Sequence, residues 1–240
     1  MKGLPPPSVQ DLEPDARAAM EAIVDAVASD PRAPSSVRDP DEGWRVHIAD
    51  SLAGLEFAEL RGAGAIADLG AGAGFPGLPL AVALPEAHVD LVESTGRKCE
   101  FIRRVIERVG IGNAWVVCER SEMWAAEPPP SGGRESYEAV TARAVGRLST
   151  LAELASPLLV EGGALVAWKG RRDADEEAEL RRASARLAME PKEVRWVGPY
   201  AGSRHRHLHV LRKTGATPGN LPRRPGMAKK RPMGAISPRG

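Results

Sequence analysis

Residues 66–77 read Ile66-Ala67-Asp68-Leu69-Gly70-Ala71-Gly72-Ala73-Gly74-Phe75-Pro76-Gly77, a short apolar run followed by a glycine-rich turn. Such a run before turn residues is typical of a buried strand, and Pro76 fits the first turn of a following helix. Glycines in the turn permit positive φ and let the backbone approach a ligand closely. The segment therefore predicts a strand, a ligand-binding loop and a helix.

Short apolar runs and amphipathic helical stripes alternate after this loop. This alternation predicts β-α-β units in an α/β fold with a mostly parallel, doubly wound sheet. The predicted strands cover residues 65–69, 88–92, 115–117, 137–141, 164–168 and 207–211. The predicted helices between them cover residues 76–83, 97–109, 148–159 and 173–188.

The two ends of the chain differ from this core. Met20, Ile23, Val24 and Val27 form the stripe of an amphipathic helix, and residues 44–52 predict a second short helix. We therefore expect an N-terminal helical cap over residues 1–60 and a Rossmann-like domain over 61–214. Residues 215–240 are rich in proline, lysine and arginine and contain no acid, which predicts an extended basic tail.

Composition excludes several classes of protein. With a formal net charge of +1 over 240 residues, the chain has no overall positive potential that would attract nucleic acid. Any nucleic-acid binding must therefore depend on local clusters of positive charge. The two cysteines, Cys99 and Cys118, predict neither a disulfide framework nor a zinc site, and we expect no metal. No apolar run approaches the ~20 residues of a membrane span, and no signal peptide opens the chain. We therefore expect a cytoplasmic protein with no membrane partner.

Two ligands compete for the glycine loop. The spacing of Gly72, Gly74 and Gly77 also matches the dinucleotide pattern, with Glu93 at the distance of a ribose-binding acid. Asp68 adds a carboxylate that disfavours a pyrophosphate and favours a ligand with an ammonium and a sulfonium. S-adenosylmethionine carries both and is the predicted cofactor, with Glu93 accepting hydrogen bonds from two ribose hydroxyls. A nicotinamide-dependent reductase remains an alternative, as does a purely structural role for both acids.

Several further motifs occur together in one known family. They are Val37-Arg38-Asp39-Pro40, His47-Ile48-x-Asp50-Ser51-Leu52, Phe75-Pro76-Gly77-Leu78-Pro79, Val92-Glu93-Ser94-x-Gly96-Arg97-Lys98, Ala142-Arg143-Ala144, Trp168-Lys169-Gly170, Arg206-His207-Leu208 and Asn220-Leu221-Pro222-Arg223-Arg224-Pro225-Gly226. On these motifs the chain, from about residue 36 onward, resembles the bacterial ribosomal RNA small-subunit methyltransferase G family, also called glucose-inhibited division protein B. One stretch departs, because Pro34-Ser35-Ser36 stands where the family usually has Asn-Leu-Thr.

The resemblance implies a class I S-adenosylmethionine-dependent methyltransferase fold and a named activity, 16S rRNA (guanine(527)-N7)-methyltransferase. Its partner would be small-subunit rRNA or the assembling 30S subunit, and we expect a monomer. By position, the resemblance places Gly70, Phe75, Ser121, Glu122 and Arg143 at the cofactor. The full predicted cofactor set is Asp68, Gly70, Gly72, Gly74, Phe75, Glu93, Ser121, Glu122 and Arg143.

The implied chemistry needs no general base. Guanine N7 carries an in-plane lone pair and no proton, so positioning supplies most of the catalysis, and we predict no catalytic acid or base. The fourth predicted strand ends without the Asn-Pro-Pro-Tyr motif of enzymes that methylate exocyclic amines. Arg143 instead is a candidate donor to guanine O6 or to a phosphate. The alternative for Arg143 is a structural ion pair with Glu122 or Glu138.

RNA binding would rest on local positive charge near the strand ends. The candidates are Arg97, Lys98, Lys169, Arg204, Arg206, Arg223 and Arg224. The tail could bind RNA or the rim of the protein's own cleft, while His47 and Asp50 could contact substrate or hold the cap to the core. Two more alternatives stay open: a methyltransferase for another RNA or a small molecule, and a non-catalytic ribosome-binding protein.

Overall fold

A computed structural model describes residues 12–143 and 146–235. Parts of three predicted features lie outside the described residues. They are residues 1–11 of the cap, Ala144 of the Ala-Arg-Ala motif, and residues 236–240 of the tail.

The core is a seven-stranded sheet in the order β3-β2-β1-β4-β5-β7-β6. The strands are β1 (Ala65–Leu69), β2 (His88–Val92), β3 (Ala114–Val117), β4 (Tyr137–Arg143), β5 (Leu159–Lys169), β6 (Met189–Trp196) and β7 (His207–Lys213). Strands β1 to β5 pair in parallel, and β7 runs antiparallel to both β5 and β6. This topology confirms the predicted α/β class, and it brings the carboxyl ends of β1, β2, β4 and β5 to one edge of the sheet.

Ten α-helical segments accompany the sheet in the described part of the chain. They are α1 (Pro14–Ser29), α2 (Pro40–Gly43), α3 (Asp50–Leu52), α4 (Ala58–Arg61), α5 (Gly77–Ala83), α6 (Gly96–Val109), α7 (Ser121–Trp124), α8 (Leu148–Ala155), α9 (Ala174–Leu187) and α10 (Met227–Lys230). A π-helix (Trp44–Ala49) runs into α3, and a 3-10 helix (Ala53–Glu56) follows. All four helices predicted between the strands are present, and the first one after the loop, α5, begins directly after the glycine turn.

Strand β6 is the one strand that periodicity does not predict. It is an edge strand, largely exposed or half-buried, and Pro191 interrupts its register with β7. Proline is tolerated at an edge because no ladder hydrogen bond is lost there. Such a strand lacks the apolar alternation that reveals a half-buried one.

The N-terminal helices share the core of the sheet. Met20 and Ile23 of α1 are fully buried in one apolar cluster with Ile66 of β1, Leu78 of α5 and Phe101 of α6. The cap therefore packs directly against the helices that follow β1 and β2, and it is fixed relative to the glycine loop.

The prediction of an extended C-terminal tail is wrong for residues 215–235. Leu221, Ala228 and Met233 are buried in the cluster that contains Val92 and Leu151. Three separated apolar residues in a proline-rich stretch form no periodic pattern, which is why the sequence did not predict this packing. The segment instead folds back along α8 and α9.

The two cysteines form a disulfide that the sequence did not predict. Cys99 lies in the first turn of α6 and Cys118 directly follows β3, with their Cα atoms 5.8 Å apart. The pair is brought together because β2 and β3 are neighbours in the sheet. Within the two described ranges, no helix has the length and apolar character needed to cross a membrane.

Candidate active site

The glycine loop needs glycine at specific positions. Gly70, Gly72 and Gly74 have φ values of 67°, 61° and 95°, a region that favours glycine because it has no Cβ. A Cβ at Gly74 would in addition overlap the Leu78 side chain. The loop is therefore a tight, backbone-lined turn above the end of β1.

Asp68 lies beneath this loop. Its Oδ2 accepts a hydrogen bond from the Gly77 backbone N–H at 2.9 Å, and its Oδ1 accepts one from Thr141 Oγ1, also at 2.9 Å. The side chain is fully buried, and this burial raises the pKa of Asp68 to about 7. Asp68 thus ties β1 to the start of α5 and to β4, while its direct contact with a cofactor stays a prediction.

The raised pKa of Asp68 predicts a pH dependence of stability. Folded protein holds this proton more tightly than the unfolded chain, so the contribution of Asp68 to stability is fully present below its ordinary pKa of 3.8 and is lost as pH rises through about 7. Asp68→Asn cannot ionise and keeps an acceptor for Gly77. Between about pH 5 and about pH 8 we expect the melting temperature of the variant to rise relative to that of the wild type. A difference in melting temperature between the two proteins that stays the same at every pH would contradict the raised pKa of Asp68.

A first cavity of about 190 Å³ opens beside the loop. Its wall includes Gly70, Glu93, Ser121 and Glu122 from the predicted cofactor set. The other members of that set, Asp68, Gly72, Gly74, Phe75 and Arg143, do not line it. The ends of β1 and β2 and the start of α7 therefore meet around one space, as predicted for a cofactor site in an open α/β sheet.

Backbone hydrogen bonds hold the Glu93 side chain in the wall of the first cavity. Its Oε1 accepts from the Thr95 backbone N–H at 2.8 Å and its Oε2 from the Gly72 N–H at 3.2 Å. Lys98 Nζ lies 3.6 Å from Oε2. The carboxylate is nearly buried and is oriented in advance, which suits an acceptor for vicinal hydroxyls.

The C-terminal segment completes this cavity. Gly226, Ala228 and Lys229 line it together with Gly70, and the Gly226 backbone N–H donates to Glu122 Oε1 at 2.7 Å. The predicted cofactor set did not include these residues. Of the two alternatives left open for the tail, RNA or the rim of the protein's own cleft, the contacts of this segment agree with the second.

A second cavity of about 370 Å³ lies on the other side of the loop. It is lined by Val46, His47, Asp50, Arg143, Trp168, Lys169, Gly170 and Arg206. Phe75 stacks on His47 with ring centres 4.3 Å apart, and the Arg143 guanidinium lies 5.3 Å from the Phe75 ring centre. The glycine loop is therefore connected to both cavities, since Gly70 lines the first and Phe75 contacts two residues that line the second.

Arg143 is bound to the cap. One of its terminal nitrogens donates to Asp50 Oδ2 and to the Val46 carbonyl, both at 3.1 Å, and the other lies 3.3 Å from His47 Nδ1. The predicted alternative, an ion pair with Glu122 or Glu138, is wrong in its partners, because the acid that pairs with Arg143 is Asp50. The pairing comes from residues 93 positions apart that only the tertiary fold brings together.

His47 is neutral at neutral pH. Burial, and then the charge of Arg143, lowers the pKa of His47 to about 4. With Nδ1 facing the Arg143 donor, the Nε2–H faces Ser35 Oγ at 3.0 Å. Ser35 belongs to the stretch that departs from the family pattern, and it helps to orient the imidazole that stacks on Phe75.

Asp50 Oδ1 has no hydrogen-bond donor among residues 12–143 and 146–235. Asp50 is only 5% exposed, and Arg206 Nε lies 3.4 Å from Oδ1 without the alignment of a hydrogen bond. A buried carboxylate oxygen left unsatisfied is costly. Oδ1 is enclosed by the protein, and the cation next to it is Arg206.

The predicted RNA-binding cations fall into two groups. Arg97, Arg204 and Arg224 are exposed. Lys98 and Arg206 are half-buried, with Lys98 Nζ 3.6 Å from Glu93 Oε2 and Arg206 in the wall of the second cavity. Lys169 Nζ is bound to Glu176 at 2.7 Å, and Arg223 is bound to Glu153 at 2.6 Å. The last two therefore also have partners inside the protein. In the described residues, no group of three or more potential ligands is arranged to hold a metal.

Comparison with known proteins gives consistent results. The family model described as "rRNA small subunit methyltransferase G" matches residues 32–208. A relative named ribosomal RNA small subunit methyltransferase G from Rubrobacter xylanophilus is 41% identical over 202 residues, which is 82% of this chain and 75% of the relative.

Two solved structures share the fold. A predicted O-methyltransferase from Agrobacterium tumefaciens, Atu636, is 26% identical with a TM-score of 0.53, covering 70% of this chain and 81% of that chain. A mutant of MtNAS in complex with S-adenosylmethionine has a TM-score of 0.53 at 12% identity, covering 84% and 75%. The second likeness concerns the fold alone.

Proposed function

This chain belongs to the rRNA small subunit methyltransferase G family, and from that premise we propose that it transfers the methyl group of S-adenosylmethionine to N7 of one guanine in 16S rRNA, guanine 527 in the family's nomenclature. The cofactor occupies the first cavity and the target base the second. The glycine loop between them orients the methyl group towards the base.

The observation that carries this proposal is the pairing of Arg143 with Asp50. Three of the five guanidinium N–H donors serve Val46, Asp50 and His47. Within the described residues, this leaves two N–H groups of a side chain that lines the second cavity. The guanine edge offers the complementary group, an acceptor at O6. Adenine offers a donor, its exocyclic amine, at the same position. The second cavity therefore favours guanine over adenine.

The reaction requires little beyond this positioning. Bound S-adenosylmethionine would supply a methyl group on a sulfonium, and the in-plane lone pair of guanine N7 would take that methyl as the carbon–sulfur bond breaks, with the neutral thioether as the leaving group. No proton leaves N7, so no side chain has to accept one. Holding the two reactants in line accounts for most of the rate, and such orientation is worth on the order of 7–11 kcal/mol.

Contacts to the RNA backbone come from the rim of the second cavity. Arg206 lies at its mouth, and the exposed Arg204 is two residues away. Arg97, at the start of α6, extends the positive charge towards the first cavity. Such contacts to phosphates position the RNA without reading its sequence, and the reading of the base is left to Arg143 and Asp50.

The proposal is tested by transfer of radiolabelled methyl from S-adenosylmethionine to small-subunit rRNA that lacks the modification. We expect label in 7-methylguanosine at a single site, on naked rRNA or on 30S subunits. A label in another nucleoside would contradict the base assignment. Bound cofactor with no transfer to either substrate would instead favour a methyltransferase for a different acceptor or a non-catalytic binder.

A further inference from the structure

The C-terminal segment is attached to the body by a buried ion pair. The Arg223 guanidinium donates two hydrogen bonds, both 2.6 Å, to the carboxylate of Glu153 in α8, and Glu153 is only 2% exposed. One of these two nitrogens, Nη2, also donates to the Arg231 carbonyl at 2.8 Å. Bidentate pairs of this kind are strong and fix geometry, so Arg223 joins both ends of the turn that contains α10 to the core.

Other contacts hold this turn against the first cavity. Thr150 Oγ1, also on α8, donates to the Ala228 carbonyl at 3.2 Å, and the Gly226 N–H donates to Glu122. Gly226 has φ of 81°, the region that favours glycine. Leu221 and Met233 anchor the segment in the apolar core on either side. The turn is therefore a fixed element of the structure at the cavity wall.

We propose that residues 221–233 form a clasp that completes the S-adenosylmethionine site, with Arg223 as the positioning residue that holds the clasp closed. This inference rests on the proposed function, because it takes the first cavity to be the cofactor site. Gly226, Ala228 and Lys229, which share the wall of this cavity with Gly70, then cover part of the bound cofactor. Arg223 acts through Glu153 and does not itself touch the cofactor.

The clasp explains the distribution of charge in the segment. Arg223 faces inward to an acid, whereas its neighbour Arg224 is exposed. A segment that served only to bind RNA would keep both arginines free. The neighbouring pair therefore provides matched variants of equal charge, one of which breaks the clasp.

The first test measures S-adenosylmethionine affinity of the full chain by calorimetry. We expect Arg223→Ala to raise Kd by about tenfold or more and Arg224→Ala to leave it within about twofold. In methyl-transfer assays the KM for S-adenosylmethionine should rise in Arg223→Ala, while kcat at saturating cofactor changes little, because the clasp lies away from the reacting methyl group.

The second test is limited digestion with trypsin at Lys229 and Lys230, which are exposed in α10. S-adenosylmethionine should slow this cleavage in the wild type and protect Arg223→Ala much less. If Arg223→Ala does not fold, the double variant Arg223→Gln/Glu153→Gln removes both charges and leaves no unpaired acid. The same loss of affinity and protection is expected of that variant.

The outcomes separate the two proposals. Wild-type protein that fails to bind S-adenosylmethionine would contradict the proposed function itself. Wild-type binding combined with unchanged affinity and protection in the Arg223 variants would overturn the clasp alone. An equal loss of RNA binding in Arg223→Ala and Arg224→Ala, with cofactor affinity intact, would also overturn it.

Discussion

Replacement of Arg143 by alanine should lower methyl transfer to 16S rRNA by about 10²–10³-fold at saturating S-adenosylmethionine, the usual effect of removing one donor that positions a reacting group. Arg143 lines the second cavity, where it is the proposed donor to the base, and it holds Asp50 through a 3.1 Å hydrogen bond. Cofactor affinity should stay within a few-fold of the wild type, because Arg143 does not line the first cavity. Single-turnover assays with rRNA, together with calorimetry for the cofactor, measure both quantities.

Arg143→Ala also removes one of the two cations beside the buried Asp50 and leaves only Arg206, 3.4 Å from Oδ1. The stability cost should therefore lie below that of leaving a buried charge with no partner, which is about 3–5 kcal/mol. Two further variants separate this effect from the catalytic one. Arg143→Lys keeps the charge but not the planar fork, and Arg143→Gln/Asp50→Asn removes both charges. We expect both to fold and both to be slow on rRNA. If their turnover matched the wild type, Arg143 would be only a structural partner of Asp50.

Replacement of Glu93 by alanine should weaken S-adenosylmethionine binding by about 1.5–3 kcal/mol, the range for losing charge-assisted hydrogen bonds. This corresponds to a rise in Kd of about 10- to 150-fold. The carboxylate lies in the wall of the first cavity and is oriented by the Thr95 and Gly72 N–H groups. Equilibrium binding of S-adenosylmethionine to the two proteins gives the comparison directly.

Glu93→Gln and Glu161→Ala serve as controls for this measurement. Glu93→Gln keeps one acceptor oxygen, so its Kd should fall between those of the wild type and Glu93→Ala. Glu161 is an exposed acid on β5, away from the cavity, and its removal should not change Kd. Unaltered affinity in Glu93→Ala would remove Glu93 from the cofactor site.

The fold was predictable because its signals are local. Each signal comes from residues close together in the chain. Examples are the apolar run before Gly70, the glycines of the loop and the apolar stripe of α6. Alternating strands and helices then allow few topologies, because crossovers between parallel strands are right-handed and connections are short. Strand β6 was not predicted because it is a largely exposed edge strand that contains a proline. Such a strand buries neither face fully, so its sequence shows no alternation of apolar and polar residues.

The cofactor site was predictable in part for the same reason. Gly70 and Glu93 follow consecutive strands, and the ends of parallel neighbours meet at one edge of the sheet, so their convergence at the first cavity follows from topology. The assignment of Ser121 and Glu122 to the cofactor rested on the resemblance to a family, and both residues line that cavity. Asp68 was assigned to the ligand because its carboxylate stands beside the loop in sequence, but its hydrogen bonds to Gly77 and Thr141 place it below the loop.

By itself, the sequence determined the α/β class, the glycine loop, the strand-end acid at the first cavity and the family. Only the tertiary structure decided that Arg143 pairs with Asp50, that burial keeps His47 neutral where it stacks on Phe75, and that Arg223 pairs with Glu153. The physical reason is that these pairs join residues 70 or more positions apart, or groups whose ionisation depends on burial. The sequence shows which side chains can carry a charge. Which partner each of them has, and how far it is exposed to water, is decided only when the helices and strands pack together.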